Sequence, residues 1–89
     1  MPGSVTDNEA RHRYELVEDG TLLGVLNYHD RPDARVLVHT EVDPAHEGKG
    51  AGTQLIESAL ADIHARGLEL VPLCPFVRAY LRNHPEKAT

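Results

Sequence analysis

The stretch from Val36 to Gly67 constrains this chain more than any other. An apolar strand, Val36-Leu37-Val38-His39-Thr40-Glu41-Val42, leads through Asp43-Pro44-Ala45-His46-Glu47 into Gly48-Lys49-Gly50-Ala51-Gly52, and a helical pattern starts at once. Glycines at three alternate positions let main-chain N–H groups turn inward with no side chain in the way, which makes a nest for an anion. The helix that follows puts the same N–H groups at the positive end of its dipole, a setting suited to a phosphate or pyrophosphate. The stretch therefore points to a phosphorylated ligand.

Spacing narrows the choice of ligand. A Walker-type loop needs four residues between its first glycine and a Gly-Lys-Ser/Thr, and no such run is present. A dinucleotide fingerprint needs Gly-x-Gly-x-x-Gly directly after a strand. Here Thr53 breaks the register that starts at Gly48, Leu55 breaks the one that starts at Gly50, and five residues, Asp43 to Glu47, separate strand from loop. Glu69 stands near the distance of a ribose-binding acid but at the start of its strand rather than the end.

Composition excludes other classes. A net charge of −5 and a pI of about 5.6, with no basic run, argue against a nucleic-acid partner, whose binding rests on clustered Lys and Arg. One cysteine makes no intrachain disulfide, and no apolar run approaches the ~20 residues of a membrane span. Met1-Pro2-Gly3-Ser4 opens no signal peptide, so a cytoplasmic protein is expected. With 89 residues the chain reads as one small domain able to bury roughly 60–65% of its unfolded surface.

Taken in order, Met1 to Arg11 is polar and aperiodic and reads as a loose arm that contributes little to the core. A strand follows over His12–Val17 with Tyr14 and Leu16 on one face, and Glu18-Asp19-Gly20 makes a hairpin turn into a second strand, Thr21–His29. After the turn at Asp30-Arg31-Pro32-Asp33, alternation over Ala34–Val42 directs Val36, Val38, Thr40 and Val42 toward the coming helix, and Leu37, His39 and Glu41 away from it. Polar groups on one face of an inner strand are costly unless wet or part of a site. The helix spans about Ala51–Arg66, with Leu55, Ile56, Ala59, Leu60 and Ile63 as its apolar stripe and Gly67 as its stop. A parallel strand over Leu68–Leu73 completes a crossover. Cys74 then caps a last helix that begins at Pro75 and carries Phe76, Val77, Tyr80 and Leu81 as its stripe, closed by Asn83-His84-Pro85. The expected fold is a mixed α/β domain (an α+β mixed sheet): antiparallel N-terminal strands, a β-α-β crossover and a C-terminal helix.

Three segments, Thr40-Glu41-Val42-Asp43-Pro44, Glu47-Gly48-Lys49-Gly50-Ala51-Gly52, and Pro72-Leu73-Cys74-Pro75-Phe76 with His84-Pro85-Glu86 behind it, resemble the GNAT superfamily of acetyl-CoA-dependent N-acetyltransferases, in its short single-domain branch. The resemblance covers roughly Tyr14 to Glu86 and implies acetyl-CoA as co-substrate, an amine as acceptor and no metal. It implies that Glu47 to Thr53 hold the CoA pyrophosphate through main-chain N–H groups, that the strand at Thr40 and Val42 pairs with the pantetheine arm, and that a main-chain N–H around Val42 polarises the thioester carbonyl. The family's loop usually opens with Arg or Gln. Glu47 stands there in this chain, which leaves the positive charge to Lys49 or Arg78.

Transfer to an amine needs a base to deprotonate the attacking ammonium, and Glu41 and His39 are the candidates, against a solvated strand face as the plain alternative. Cys74, at a strand end and a helix N-terminus, is expected to be exposed where the parallel strands part, and the resemblance implies that it lies close to the acetyl group. It serves either as a nucleophile or as a cavity wall, with direct attack by the amine preferred. Tyr80 reads as core. His12, His29, His46 and His64 are scattered at spacings that hold no metal and read as surface residues. Two other classes stand beside the transferase: a CoA-binding module without turnover, and a binder of nucleotide phosphates that shares only the loop.

Overall fold

The computed structural model describes residues 3–46 and 50–88. Five strands form one sheet in the order β1-β2-β3-β4-β5, comprising β1 (Ser4–Asn8), β2 (Arg13–Glu18), β3 (Thr21–Arg31), β4 (Ala34–Val42) and β5 (Glu69–Pro72). The first four are antiparallel neighbours, and β5 runs parallel to β4 after the crossover helix α1 (Ala51–Ala65). Helix α2 (Pro75–Asn83) follows, with Cys74 as N-cap and Pro75 in its first turn. At the end of α1, Gly67 N donates to His64 O and Leu68 N to Ile63 O, the paired bonds of a Schellman stop.

The core forms between the sheet and the helices. Leu55, Ile56, Ala59, Leu60 and Ile63 of α1 and Val77 and Tyr80 of α2 pack with Tyr14, Leu16, Leu26, Tyr28 and Leu37 of the sheet. Fully buried leucines such as Leu16, Leu26 and Leu37 each contribute about 2 kcal/mol by leaving water.

The faces of β4 differ from strict alternation. The β3–β4 register steps from Asn27↔His39 to Tyr28↔Leu37, so Val38 is an extra residue, a β-bulge. On one side of it Leu37 joins the core; on the other, Thr40 and Val42 face the helices, with His39 and Glu41 turned away. Thr40, Val42, His39 and Glu41 thus lie as alternation predicts, but Leu37 points inward and Val38, expected inward, is 44% exposed. Val36 is buried yet lies outside that core cluster.

The N-terminal segment is also different from its expectation as a loose arm. Ser4–Asn8 pairs with β2 from Ser4↔Val17 to Asn8↔Arg13, and Val5 packs against the core. Its polar composition suits an edge strand that is wet on one side, and a buried charge holds it. Arg35, on β4, is only 2% exposed. Its guanidinium donates to both carboxylate oxygens of Asp30 (2.7 and 2.9 Å), to Asp7 of β1 (2.9 Å) and to the Tyr14 hydroxyl (3.0 Å), and it lies 3.8 Å from the centre of the Tyr28 ring. Tyr14 donates to Asp62 of α1, Tyr28 donates to Asp7, and Arg66 reaches both carboxylates. Burial opposes the charge on Arg35, but its bonds to Asp30, Tyr14 and Asp7 outweigh that and raise its pKa. The same guanidinium holds the Asp30 carboxyl below its usual range.

Candidate functional site

The parallel pair β4–β5 is a short fork. Pairing ends at Leu37↔Pro72, where Leu73 N (3.0 Å) and Cys74 N (2.9 Å) both donate to Leu37 O as the chain turns away into α2. Strand β4 runs on to Val42, so among the described residues no strand lies beside its outer edge beyond Leu37, leaving a row of main-chain groups of the kind an extended ligand can pair with.

A cavity of about 520 Å³ opens along this edge. Strand β4 contributes Thr40 and Val42, the 3₁₀ turn Pro44–His46 contributes His46, the start of α1 contributes Gly50 to Thr53, and α2 contributes Phe76. Gly50 is the N-cap of α1 at φ 82°, a left-handed conformation that glycine adopts without strain, and it makes no side-chain cap. Gln54 N donates to Gly50 O, the first bond of the helix, so the N–H groups of the preceding turn have no helical acceptor. The first turn of α1 also holds no acidic residue of its own to offset the dipole charge there. Gly52 packs so closely under the Phe76 ring that a Cβ would overlap it, and the bare backbone forms the cavity floor. Free N–H groups at a helix start beside an open strand edge suit a ligand with an anionic end and an extended polar arm.

Of the residues expected to hold the cofactor, Thr40, Val42, Gly50, Ala51, Gly52 and Thr53 meet in this cavity. Glu47, Gly48 and Lys49 lie outside the described residues. Arg78 is exposed on α2 and is not part of the lining. Cys74 stands at the base of the fork, but its thiol is not exposed as expected: the residue is 2% exposed, and Sγ lies 3.2 Å from Thr40 Oγ1. The turn into α2 packs it inward with Val77, so it backs the cavity wall behind Thr40. His39 and Glu41, with Nε2 and Oε2 3.8 Å apart, are exposed on the opposite sheet face.

Two lining residues escaped the sequence reading. Phe76 was expected in the core stripe of α2 but is 47% exposed, because it leans over Gly52 at the cavity mouth. The signal was a glycine in the first turn of one helix and an aromatic in the first turn of the other. His46, expected at the surface, is half-buried in the cavity wall, and no periodicity marks it. Tyr80 is core: burial first, and then its bond to Glu57, push its hydroxyl up to about 12, so it is protonated at neutral pH.

A five-stranded mixed sheet, forked where its parallel pair parts, with two helices packed on it defines the class of the fold as mixed α+β. Residues 13–89 match the family model described as GCN5-related N-acetyl-transferase, and the chain belongs to that family of acyltransferases. Among solved structures it is similar to a ribosomal-protein-alanine N-acetyltransferase from Brucella melitensis biovar Abortus 2308, at 26% identity and TM-score 0.62, over 84% of this chain and 59% of that one. It also shares its fold with a protein described as an acetyltransferase from Staphylococcus aureus Mu50, at 18% identity and TM-score 0.64, over 88% of this chain and 66% of that one. The chain thus spans less than two thirds of the length of each of these two proteins. No curated protein matches it significantly in sequence.

Proposed function

We propose that this protein transfers an acetyl group from acetyl-CoA to a primary amine of a small molecule or peptide, by direct attack of the amine on the thioester. The observation that carries this reading is the fork: a strand edge left open beyond Leu37 runs beside the N-terminus of α1 with a cavity between them. In this reading the N–H groups around Gly50 to Thr53 hold the pyrophosphate, and the edge of β4 at Thr40–Val42 pairs with the pantetheine arm. Acetyl-CoA supplies the acetyl group as a thioester, an acyl donor already activated toward amines. The His39–Glu41 pair removes the proton from the attacking ammonium, the imidazole accepting it and the carboxylate 3.8 Å away stabilising the charge. Cys74, sealed behind Thr40, positions that residue and carries no acyl group.

His39 and Glu41 face away from the cavity, and this favours a second reading: a module that binds acetyl-CoA without turnover. Release of CoA, followed with a thiol reagent across polyamines, small primary amines and peptides, including one with N-terminal alanine because of the Brucella relative, separates the two. Amine-dependent release that His39→Ala or Glu41→Gln depresses at unchanged acetyl-CoA affinity supports the transferase. Tight acetyl-CoA binding with no release for any amine supports the module.

A further inference from the structure

Strand β1 is fastened to both ends of α1. At the near end, Gln54, at the start of α1, donates from Nε2 to the carbonyl of Gly3, the residue before β1 (2.8 Å). Gly3 lies so close to Val17 O that a Cβ would overlap it, which seats that carbonyl firmly against β2. At the far end, Asp7 accepts from Arg66, the C-cap of α1 (3.0 Å), as well as from Arg35 (2.9 Å) and Tyr28. The spans match: Gln54 to Arg66 is about 18 Å of helix and Gly3 to Asp7 about 14 Å of strand, and the Arg66 side chain reaches across the rest. The near fastening carries a penalty. Gln54 Oε1 is buried with no hydrogen-bond partner, which an apolar side chain in its place would avoid. What the amide secures is the start of α1, because Gln54 N makes the first bond of the helix, to Gly50 O (2.9 Å). Gly52, pressed under Phe76, ties the same turn to α2. The turn that lines the cavity is therefore held by two elements, β1 and α2.

Of these two holds, β1 is the one that can let go. It is an edge strand, none of its five residues is buried, and Val5 is its apolar contact with the core. Elements with so little buried apolar surface open locally at far lower free energy than the whole fold. When Asp7 leaves, Arg35 keeps both bonds to Asp30 and its bond to Tyr14, and Arg66 keeps Asp62, so the core stands without the strand. We infer that β1 is a strap whose docking sets the affinity of the cavity for its cofactor, with Gln54 as the positioning residue that transmits it. The inference rests on the acetyl-CoA reading above. With the strap down, Gln54 holds the first turn of α1 ordered, with its N–H groups presented to an anion. With the strap lifted, that turn loses one of its two holds and frays. A ligand that binds the ordered turn draws the strap down, and lifting the strap weakens the ligand by the same coupling. The outer side of β1 is an edge of the sheet, so this control point is reachable without entering the cavity.

The test follows amide hydrogen exchange in Ser4–Asn8 with and without acetyl-CoA, and acetyl-CoA affinity by calorimetry, in the wild type, Gln54→Leu and Asp7→Ala, each confirmed folded by circular dichroism. Saturating acetyl-CoA is expected to slow exchange in this strand roughly fivefold or more in the wild type. Gln54→Leu is expected to abolish that slowing and to weaken acetyl-CoA by roughly fivefold, because the link itself is cut. Asp7→Ala, which changes no residue of the cavity lining, speeds exchange in the strand and weakens acetyl-CoA by roughly twofold or more, yet the slowing by ligand persists because Gln54 is intact. Slowing that survives in Gln54→Leu, or an affinity unchanged in both variants, overturns the inference. Should either variant fail to fold, exchange in the wild type decides it: slowing on addition of acetyl-CoA supports the strap, and exchange that does not respond overturns it. A wild type that binds no acetyl-CoA overturns this inference together with the acetyl-CoA reading. A wild type that binds it with the strand unresponsive overturns this inference alone.

Discussion

Gly50 concentrates the chemistry of the site in one residue. At φ 82° it turns the chain into α1, and it lines the cavity where the helix N–H groups have no internal acceptor. Gly50→Asp puts a carboxylate into the proposed pyrophosphate site and adds about 1 kcal/mol of backbone strain. The expected outcome is at least tenfold weaker acetyl-CoA binding by calorimetry, in a protein whose circular dichroism spectrum is retained. Cys74 gives the opposite kind of prediction. Its thiol is packed against Thr40 rather than offered to solvent, so incubation with acetyl-CoA alone leaves the intact mass unchanged, and Cys74→Ala keeps most of the amine-dependent CoA release. A stoichiometric acetyl adduct that is absent from Cys74→Ala and discharged by an amine contradicts this placement.

At the level of elements, strand β1 is tied to the rest of the fold by Asp7, which accepts from Tyr28, Arg35 and Arg66. Asp7→Ala leaves the buried Arg35 without one of its carboxylates and frees the edge strand. A loss of about 3 kcal/mol in urea unfolding is expected, with amide exchange accelerated first in Ser4–Asn8. This strand was invisible in the sequence because local composition marks it as polar and aperiodic, and what orders it is a tertiary ion pair with a residue far along the chain. Elements whose signal is local were legible: the amphipathic stripe of α1, the Cys74-Pro75 start of α2 and the Asp19-Gly20 turn all stand where periodicity and turn chemistry put them. The bulge at Val38 was not, since alternation assumes a constant register, and one extra residue there exchanges the roles of Leu37 and Val38. Gly50 and Gly52, singled out by their spacing, do line the cavity, while Phe76 reaches it through packing between α1 and α2, elements distant in sequence, and His46 sits in a turn that no periodicity marks.

For the whole molecule, the buried Arg35 makes stability depend on acid in a definite direction. Asp30 is held below its usual range by hydrogen bonds from Arg35, and Glu15 by its bond to Arg13. A carboxylate depressed in the folded state stabilises it fully above the unfolded pKa of about 4, and that stabilisation is lost as pH falls through the lower folded value. Stability in urea is therefore expected to be insensitive to these groups from neutral pH to about pH 5 and to decline below about pH 4. An increase in stability over that acid range contradicts the network. The central claim about the molecule, that its forked strands and the N-terminus of α1 together form a CoA site, is tested most directly by calorimetric titration with acetyl-CoA and ATP side by side. Both ligands offer phosphates, but only acetyl-CoA carries an arm to pair with the open edge of β4. One acetyl-CoA per chain, bound at least tenfold more tightly than ATP, is expected; equal affinities, or no binding of acetyl-CoA, would contradict a CoA site there.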